Sequence, residues 1–476
     1  MIGRELNEEC GVAGIIGDPL AANLLYLGLY ALQHRGQEAC GIVTFNGSQQ
    51  DVHIHKSFGL VVDGVTKEVL AKLPGDLGIG HVRYSTQGGK LFQNIQPFYF
   101  NSMLGPLAVA HNGNLTNSKE LRDELEGNGS IFQSTSDTEI FMHLIARSKS
   151  KELHERIAEV MAKVRGAYSL VLICGGKLFA VRDPFGFRPL VLGKRGSAWV
   201  AVSETCALDL IEAEFVREVA PGEIVELKND EAPRSFFPVA KPKQTAHCSF
   251  EPIYFARPDS RIFGAEVYEV RKQIGKFLAQ ETAVDADVVI AIPDSGVPMA
   301  LGYAEESGLP HQIGLVRNHY VGRTFIEPAQ EIRDFGVKLK LNPVNSVLAG
   351  KRVVVVDDSI VRGTTSVKIL RMLRKAGAKE IHFRIGAPPI THSCYFGVDT
   401  PQRSQLLAAQ KNVQQMREFI GADSLGFLSL KGLEKALHAS NAKGFCFGCF
   451  NGNYPDDVFT KILPQPTDAL GPGLLA

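Results

Sequence analysis

One stretch of the chain reads Val353-Val354-Val355-Val356-Asp357-Asp358-Ser359-Ile360-Val361-Arg362-Gly363-Thr364-Thr365-Ser366. Four consecutive β-branched residues are typical of a parallel strand buried on both faces, and two acids end it. The spacing then becomes helical at Ile369, Leu370 and Leu373, and Gly377 is the expected end of the helix. The sequence therefore predicts a strand, a short loop and a helix, with carboxylates at the edge of a sheet.

The predicted loop has the chemistry of an anion site. Its backbone amides and the first N–H groups of the helix, with the hydroxyls of Thr364, Thr365 and Ser366, are suited to surround a phosphate dianion. Asp357 and Asp358 beside them suit a ribose diol or a hydrated Mg²⁺. A lone Asp-Asp pair is more often a strand that ends in solvated acids, so only the whole stretch is informative. It resembles the signature of type I phosphoribosyltransferases, which bind 5-phosphoribosyl 1-pyrophosphate (PRPP).

The composition is that of an ordinary globular protein. The chain has 476 residues, 45% hydrophobic and 21% charged, which is enough for two or three domains. A formal net charge of zero argues against a nucleic-acid partner held by electrostatics. No apolar run approaches the ~18 residues of a membrane span, and residues 1–9 lack a signal-peptide core, so we expect a cytoplasmic protein without a membrane partner. The eight cysteines are then thiols, ligands or nucleophiles rather than a disulfide framework.

The first cysteine, Cys10, stands at the head of an apolar strand of small residues, Cys10 to Gly17. Taken alone it would be a buried strand residue. In its context it resembles the mature N-terminus of class II glutamine amidotransferases, which are N-terminal-nucleophile hydrolases. The resemblance implies that Cys10 attacks the glutamine amide with its own α-amine as base, since the amine and thiol titrate near ~8 and ~8.5. Residues 1–9 are then a propeptide, cut at the Glu9-Cys10 bond.

Further segments of the first half resemble the same family, in the family's order. They are Gln33–Glu38, Gly80–Gly88, Leu107–Leu115, Ser134–Glu139, Arg165–Ser169 and Arg182–Leu190. The resemblance implies that Arg83 and Asp137 bind the α-carboxylate and α-ammonium of glutamine. It also implies that Asn112 and Gly113 form the oxyanion hole. Taken alone, Asn-Gly is a hairpin signal, Ser134–Glu139 is the N-terminus of a helix, and Arg35 and Arg83 are solvated cations.

The chain turns polar and proline-rich between Glu226 and Thr245, which we interpret as the domain boundary. We therefore expect a glutaminase domain over residues 10–240 and a second domain over residues 241–476. In the second domain, Val288–Pro298 is another buried strand that ends in a loop of small residues, suited to present amides to pyrophosphate. We interpret a basic tract from Arg317 through Lys340 as a lid over PRPP or, alternatively, as a solvated surface loop.

The resemblance to phosphoribosyltransferases identifies a set of PRPP-binding residues on these two loops. The set is Asp294, Ser295, Gly296, Asp357, Asp358, Ser359, Arg362, Gly363, Thr364 and Thr365. In related amidotransferases the residue at Ser295 joins the pair at Asp357 and Asp358 around Mg²⁺. The expected cofactor of this half is therefore Mg²⁺, with these three residues as its protein ligands.

Four cysteines of the second half form a further candidate site: Cys248, Cys394, Cys446 and Cys449. A C-x-x-C pair with two distant partners suits a tetrahedral Zn²⁺ or a [4Fe-4S] cluster, and spacing alone does not separate them. The contexts of Cys248 and Cys446 resemble those of iron-sulfur amidotransferases, which implies a structural [4Fe-4S] cluster. The remaining cysteines are expected in the core: Cys40, Cys174 and Cys206.

Over nearly its full length the chain resembles the amidophosphoribosyltransferase family in its propeptide-bearing, iron-sulfur form. The resemblance implies an α+β N-terminal-nucleophile hydrolase domain with stacked antiparallel sheets between helices, followed by an α/β type I phosphoribosyltransferase domain with a parallel sheet. It implies a glycosyltransferase that makes 5-phosphoribosylamine, glutamate and pyrophosphate from PRPP, glutamine and water, at the start of purine synthesis. Ammonia released at Cys10 would be channelled between the sites. A homotetramer inhibited by purine nucleotides is also implied.

Two other functions are weighed against this one. A class II amidotransferase that makes amino sugars or asparagine would need a sugar-isomerase domain or an ATP pyrophosphatase loop of Ser-Gly-Gly type, and the second half has neither. A non-catalytic PRPP sensor would need no glutaminase, whereas Cys10, Asn112 and Arg83 are all present. Release of glutamate from glutamine, with and without PRPP, separates these possibilities.

Overall fold

The described part of the chain, in a computed structural model, comprises residues 10–46, 51–84, 91–239, 244–318, 341–398 and 400–455. The predicted propeptide (residues 1–9), the end of the Gly80–Gly88 segment and most of the predicted lid (residues 319–340) lie outside these residues. Within them, no helix is both long enough and apolar enough to cross a membrane.

Two antiparallel sheets form the first half of the chain. The first contains β1 (Gly11–Ile16), β2 (Ala39–Asn46), β3 (Asp51–Phe58), β4 (Leu77–Arg83), β9 (Val191–Arg195), β10 (Ala198–Val202) and β11 (Glu214–Glu218), in the order β11-β9-β10-β1-β4-β2-β3. The second contains β5 (Phe98–Ser102), β6 (Gly105–Leu115), β7 (Gly166–Cys174), β8 (Lys177–Arg182), β12 (Ile224–Leu227) and β13 (Arg234–Phe236), in the order β13-β12-β8-β7-β6-β5.

Helices cover the outer faces of both sheets. The first sheet is covered by α1 (Ala21–Ala31), α2 (Val61–Gly64), α3 (Lys67–Leu70) and α7 (Thr205–Leu210), and the second by α4 (Ser118–Gly127), α5 (Thr138–Arg147) and α6 (Leu153–Lys163). A Cβ on Gly78 or Gly80 would lie within 2.8 Å of Leu25 or 2.7 Å of Leu29, so the close approach of α1 requires glycine there. Between the sheets, side chains such as Ile79 of β4 pack against Ala110 of β6. The result is a four-layer sandwich.

Two sequence expectations about this half need correction. The polar stretch from Glu226 to Thr245, interpreted as the domain boundary, is not irregular throughout, because β13 lies inside it and pairs with β12. Asn112-Gly113, a hairpin signal when taken alone, does not form a turn, because β6 continues to Leu115 and pairs Asn112 with Ser169 of β7. Cross-strand pairing therefore overrides the turn preference of the Asn-Gly dipeptide.

A parallel sheet lies in the second half. Its strands are β17 (Val288–Ala291), β20 (Arg352–Asp357), β21 (Glu380–Ile385) and β22 (Ser424–Phe427), in that spatial order. Val354 and Val356 pack on the side of α8 (Val267–Glu281) and α9 (Val297–Ser307), and Val353 and Val355 on the side of α11 (Thr364–Lys375). Each of the four valines is 0% exposed, and full burial of such a side chain stabilises by about 1.5–3 kcal/mol.

The predicted strand, loop and helix are therefore confirmed. Asp357 is the last residue of β20. The helix α11 ends at Lys375, and Gly377 follows its C-cap with φ +91°. Glycine is favoured at this position because the backbone is left-handed there.

Shorter elements complete the second half. The strand pairs are β14 (His247–Cys248) with β23 (Phe445–Cys446), β15 (Arg261–Ile262) with β16 (Ala265–Glu266), and β18 (Leu315–Arg317) with β19 (Leu341–Pro343). The remaining helices are α10 (Asn345–Leu348), α12 (Leu407–Gln410), α13 (Val413–Ile420), α14 (Leu430–Ala439) and α15 (Gly448–Asn451). Single turns of 3-10 helix occur at Phe92–Asn94 and Arg403–Gln405, and a π-helical turn at Glu251–Phe255.

A buried charge network joins the two halves. Nη1 of Arg35 donates to Oε1 of Glu204 at 2.5 Å, and Nη2 of Arg35 donates to Oε1 of Glu251 at 2.7 Å. Oε2 of Glu204 accepts from the backbone N of Arg257 at 2.9 Å and from Oγ of Ser260 at 2.7 Å. All three charged side chains are at most 1% exposed. Removing one partner would leave an uncompensated buried charge.

The charge of Glu204 makes stability depend on pH. Burial raises the pKa of Glu204, but His34 and Arg35 outweigh it and hold this pKa below its ordinary value. Because the folded pKa lies below the unfolded value of about 4.3, this stabilisation is present above that pH and is lost as the pH falls further. We expect the free energy of unfolding, measured with urea, to fall more steeply between about pH 5 and 3 in the wild type than in Glu204→Gln.

At neutral pH the Glu204→Gln variant should be less stable by about 3 kcal/mol, since a buried ion pair has lost one charge. Glu231→Gln is the matched control because Glu231 is exposed and forms a surface ion pair with Lys228. Identical pH profiles for the wild type and Glu204→Gln would contradict the expectation.

Candidate active sites

The predicted nucleophile Cys10 directly precedes β1. Gly11 is paired with Val82 of β4, which brings Cys10 beside Arg83, the last residue of that strand. The thiol of Cys10 lies 3.5 Å from the carbonyl oxygen of Tyr84, and the Cys10 carbonyl accepts from Nε of Arg35 at 3.1 Å. Burial lowers the pKa of Arg83, while the charges of Cys10 and Glu38 act against that shift. Arg83 is thus a buried guanidinium facing the nucleophile.

The predicted oxyanion hole lies at the same end of the sandwich. Nε2 of His81, two residues before Arg83, lies 3.1 Å from the carbonyl oxygen of His111, which precedes Asn112. Asn112 is 1% exposed, and among the described residues its Nδ2 has no hydrogen-bond partner. A Cβ on Gly113 would lie 2.0 Å from the Ala167 carbonyl, so only glycine fits. A buried donor without a partner is costly, which is typical of a group kept for a ligand.

Asp137, which is also predicted to contact glutamine, is hydrogen-bonded to the same strand, β6. Its Oδ2 accepts from the backbone N of Leu115 at 2.8 Å, and its Oδ1 lies 3.8 Å from Nδ1 of His111. Asp137 is the N-cap residue of α5, yet its side chain makes no capping bond. Ser134–Glu139 does contain the start of a helix, as expected, but the Asp137 carboxylate bonds to β6 rather than to the first turn. That bond fixes a carboxylate close to Asn112 and Gly113.

The second group of predicted residues gathers at the carboxyl edge of the parallel sheet. β17 and β20 are neighbours in that sheet, so the loops that follow them meet. Oγ of Ser295 donates to Oδ1 of Asp358 at 2.6 Å, and Oγ of Ser359 donates to Oδ2 of Asp358 at 2.6 Å. Asp358 is 6% exposed and Asp357 is half-buried. The sequence prediction that joined the two loops at one site agrees with this contact.

Two helices begin at this edge without side-chain caps. Gly363, with φ +73°, is the N-cap of α11, and Gly296 is the N-cap of α9. A Cβ on Gly296 would lie 2.7 Å from the Val356 carbonyl, so this loop runs against β20. Thr364 is exposed and Thr365 half-buried at the first turn of α11. Uncapped N–H groups with the positive end of the helix dipole attract anions.

Two predicted PRPP residues have other partners. Nη2 of Arg362 donates to Oε1 of Gln405 at 2.7 Å. Asp294 is exposed and forms an ion pair with Arg317, at the start of the predicted lid. Each of these two side chains thus has a protein partner outside the predicted PRPP set.

The residues predicted for Mg²⁺ have a suitable donor set. Among the described residues, no group of three or more His, Cys, Asp or Glu side chains is arranged to hold a metal ion. The predicted set has only two such side chains, the carboxylates of Asp357 and Asp358, and its third member is the hydroxyl of Ser295. Mg²⁺ prefers oxygen ligands, keeps several waters and usually takes one or two carboxylates with substrate oxygens. The three residues therefore fit a hydrated ion shared with a phosphorylated substrate.

The four cysteines of the second half line one cavity. Its lining consists of Phe187, Cys248, Ser249, Phe250, Cys394, Phe396, Val398, Thr400, Cys446, Cys449 and Tyr454. Burial raises the pKa of Cys446 to about 12, and the pKa of Cys449 is raised by burial and then by Cys394, Cys446 and Cys248. The parallel pairing of β14 with β23 sets Cys248 beside Cys446. The four cysteines thus line the same mostly apolar cavity.

Four cysteine thiolates are the donor set of a tetrahedral Zn²⁺ site and also of a [4Fe-4S] cluster, which has one iron for each of four thiolates. The chemistry of the four residues therefore fits either group. Cys40, Cys174 and Cys206 are buried in the cores of the sandwich, as predicted.

Sequence reasoning missed the charged residues that connect these sites. Arg35 resembled a solvated cation when taken alone, yet it is 1% exposed. Its partners Glu204 and Glu251 were not singled out, and neither was Arg188, which is 0% exposed and lies 3.4 Å from Glu251. The only local signal is an acid beside apolar residues, as in Val202-Ser203-Glu204 and Phe250-Glu251. Partners more than 150 positions away are not visible in such a pattern.

Comparison with known proteins agrees with two functional halves. Residues 81–209 match the family described as glutamine amidotransferase domain, and residues 266–385 match the phosphoribosyl transferase domain family. The chain is 56% identical to amidophosphoribosyltransferase 1, chloroplastic, of Arabidopsis thaliana over 94% of this chain and 79% of that protein. It is 47% identical to the amidophosphoribosyltransferase of Bacillus subtilis over 98% of both chains.

Two solved structures share the whole fold. One is described as the allosteric regulatory enzyme of purine biosynthesis, with a TM-score of 0.90, 46% identity and coverage of 95% of this chain and 98% of that one. The other is the glutamine PRPP amidotransferase of B. subtilis complexed with ADP and GMP, with a TM-score of 0.88, 47% identity and coverage of 94% and 97%. The predicted fold class of both halves is thereby confirmed.

Proposed function

The chain belongs to the amidophosphoribosyltransferase family, the enzymes of the first step of purine biosynthesis, and on this premise we propose which residues perform each part of the reaction. The reaction converts PRPP, glutamine and water into 5-phosphoribosylamine, glutamate and pyrophosphate. Among the described residues the Nδ2 of buried Asn112 has no hydrogen-bond partner, and this is the observation that best supports a working glutaminase site.

The glutaminase half acts after residues 1–9 have been removed. The thiolate of Cys10 attacks the side-chain carbonyl carbon of glutamine, and the α-amine of Cys10 takes the thiol proton and passes it to the departing ammonia. Asn112 Nδ2 and the Gly113 amide donate to the oxyanion. Arg83 and Asp137 bind the α-carboxylate and α-ammonium of the substrate. Water then hydrolyses the thioester to glutamate.

The transferase half binds PRPP at the edge of the parallel sheet. The loop Asp294-Ser295-Gly296 receives the pyrophosphate, and Asp357 and Asp358 receive the ribose hydroxyls. The 5′-phosphate is held by the loop that opens α11, Ser359, Arg362, Gly363, Thr364 and Thr365. Mg²⁺ bound by Ser295, Asp357 and Asp358 would supply positive charge for the leaving pyrophosphate. Ammonia attacks C1 of the ribose as the C–O bond to pyrophosphate breaks.

We propose a domain boundary near residue 240, with glutaminase residues 10–240 and transferase residues 241–476. Support comes from the last strand of the antiparallel sandwich, which ends at Phe236, and the first strand after it, which begins at His247. The Arg35–Glu251 ion pair holds the two halves together. Such contact is what an internal ammonia channel requires, because free ammonia would otherwise escape to solvent.

Cys248, Cys394, Cys446 and Cys449 would hold a [4Fe-4S] cluster with a structural role. The cluster would tie the two ends of the transferase half to its middle, since its ligands come from three separate segments. We also propose a cytoplasmic homotetramer inhibited by purine nucleotides. The B. subtilis relative was solved with ADP and GMP, and none of the eight cysteines here forms a disulfide. Sedimentation velocity with and without nucleotides, and subcellular fractionation, test these points.

Replacement of the nucleophile separates the two activities. We expect Cys10→Ser to lose glutamine-dependent synthesis by at least about 10³-fold, because the serine hydroxyl is a far weaker nucleophile. Synthesis from ammonia should be retained, since the transferase half binds its own substrates. Both rates are measured as pyrophosphate release.

Cys40→Ser is the matched control, because Cys40 is a buried core thiol of β2. Intact mass of the wild type shows whether residues 1–9 have been removed. Equal loss of both activities in Cys10→Ser would contradict the two-site assignment.

The carboxylates of the PRPP loop are tested by binding. We expect Asp357→Asn with Asp358→Asn to weaken PRPP binding by at least about 10-fold in calorimetry, because two charged hydrogen-bond acceptors are lost. Slow glutamine hydrolysis should continue. Asp423→Asn is the control, since Asp423 lies at the opposite end of the sheet, before β22. Unchanged affinity for PRPP would rule out the assigned role.

Metal content tests the cysteine cavity. Protein purified without oxygen should be brown and contain about four irons per chain, and oxygen should bleach it. Cys446→Ser should lack the cluster and unfold at lower temperature, whereas Cys174→Ser, in a core away from the cavity, should keep its iron. A colourless wild type with one zinc per chain would refute the cluster.

A further inference from the structure

The segment that carries Cys394 is attached to the oxyanion strand of the other half. Nδ2 of Asn114 in β6 donates to the carbonyl oxygen of Tyr395 at 2.9 Å. Nη2 of Arg188 donates to the carbonyl oxygen of Phe396 at 2.5 Å, and the rings of Phe187 and Phe396 stack with centroids 4.2 Å apart. The glutaminase half therefore binds two successive carbonyls of the 394–397 segment.

The two backbones touch directly at Gly113. Gly397 has φ +106°, and a Cβ on it would lie 3.2 Å from the carbonyl carbon of Gly113 and 2.8 Å from Nη2 of Arg188. A Cβ on Gly113 would in turn meet the carbonyl oxygen of Ala167 at 2.0 Å. Gly113 is thus enclosed by β7 on one side and by the 394–397 segment on the other. Its position depends on both neighbours.

Consecutive residues of β6 have three different tasks. Asn112 and Gly113 supply the donors of the oxyanion hole, Asn114 binds the 394–397 segment, and Leu115 donates its amide to Asp137. A shift of the strand at Asn114 would therefore displace the oxyanion donors and the anchor of Asp137 together. Misplacement of catalytic groups by about 1 Å can cost about 10²-fold in rate.

We propose that Asn114 is a positioning residue of the glutaminase reaction, whose carboxamide clamps Gly113 and the oxyanion hole against the 394–397 segment of the transferase half. The inference rests on the proposed roles of Asn112 and Gly113. The hydrogen bond from Asn114 makes the hydrolysis of glutamine depend on the docking of the transferase half. Asn114 itself does not touch the substrate.

The structure offers a closely matched control. Asn117 also donates from its Nδ2 to a backbone carbonyl, that of Lys163, at 3.0 Å. This bond lies three positions further along the chain and stays within the glutaminase half. Asn114→Ala and Asn117→Ala therefore each remove a bond from a side-chain carboxamide to a backbone carbonyl, and only the first bond crosses between the halves. Asn117→Ala is the more disruptive change locally, because Oδ1 of Asn117 also accepts from the backbone N of Arg165 at 2.9 Å.

The experiment uses the full chain and measures kcat and KM for glutamine hydrolysis, with ammonia-dependent synthesis as a second activity. We expect Asn114→Ala to lower kcat about 10-fold, less than the 10²–10³-fold cost of deleting an oxyanion donor. KM for glutamine should stay within about twofold, because Arg83 remains in place, and ammonia-dependent synthesis should be unchanged. Asn117→Ala should leave all three quantities within about twofold of the wild type.

Hydrogen exchange gives a readout independent of activity. The amide of Gly113 should exchange faster in Asn114→Ala than in the wild type or in Asn117→Ala. If Asn114→Ala does not fold, Asn114→Ser is used, since serine is too short to reach the Tyr395 carbonyl. Equal kcat losses in both variants, a loss confined to KM, or unchanged exchange at Gly113 would overturn the proposal. A wild type that does not hydrolyse glutamine would instead refute the proposed glutaminase.

Discussion

The buried ion pair between Arg35 and Glu251 is the contact on which the arrangement of the two halves depends. Arg35 holds the carbonyl of Cys10 with Nε and Glu251 with Nη1 and Nη2, so one guanidinium binds both the nucleophile's backbone and the transferase half. Burying such charges is expensive unless every hydrogen-bonding position is filled. Glu204 supplies the remaining acceptor and also binds the chain at Arg257 and Ser260. The halves can therefore separate only if several charges lose their partners at once.

The two proposed catalytic centres are built in a similar way. In the sandwich, Arg83 is the last residue of β4, and in the parallel sheet Asp357 is the last residue of β20. Rigid strands hold these groups, and the proposed backbone donors are at Gly113, inside β6, and at Gly363, the N-cap of α11. Donors placed in advance need no reorganisation when charge develops on a substrate. Each centre thus combines one precisely held side chain with backbone groups that only glycine leaves accessible.

Patterns of neighbouring residues in the sequence predicted the strands, loops and helices that those same residues stabilise. The valines from Val353 to Val356 specify a strand buried on both faces, and the small residues after it specify a loop and a helix. The polar stretch after Glu226 concealed β13, because an edge strand needs little hydrophobicity when a neighbour completes its hydrogen bonds. The start of α5 was visible in Ser134–Glu139, whereas the bond from the backbone N of Leu115 to Asp137 was not, because it comes from another strand. Contacts such as that of Asn114 with Tyr395 depend on the packing of the two halves, so they are not predictable from the neighbouring sequence.

The pairing of β14 with β23 has a consequence for the order in which the molecule assembles. The strand that pairs with His247 and Cys248 is formed by Phe445 and Cys446, almost two hundred positions later. During synthesis the antiparallel sandwich has all its strands once Phe236 has emerged, and domains generally fold as units from the N-terminus onwards. The cysteine cavity, by contrast, has no complete wall until the ribosome has made nearly the whole chain. Its closure is therefore a late event, performed on a sandwich that is already folded.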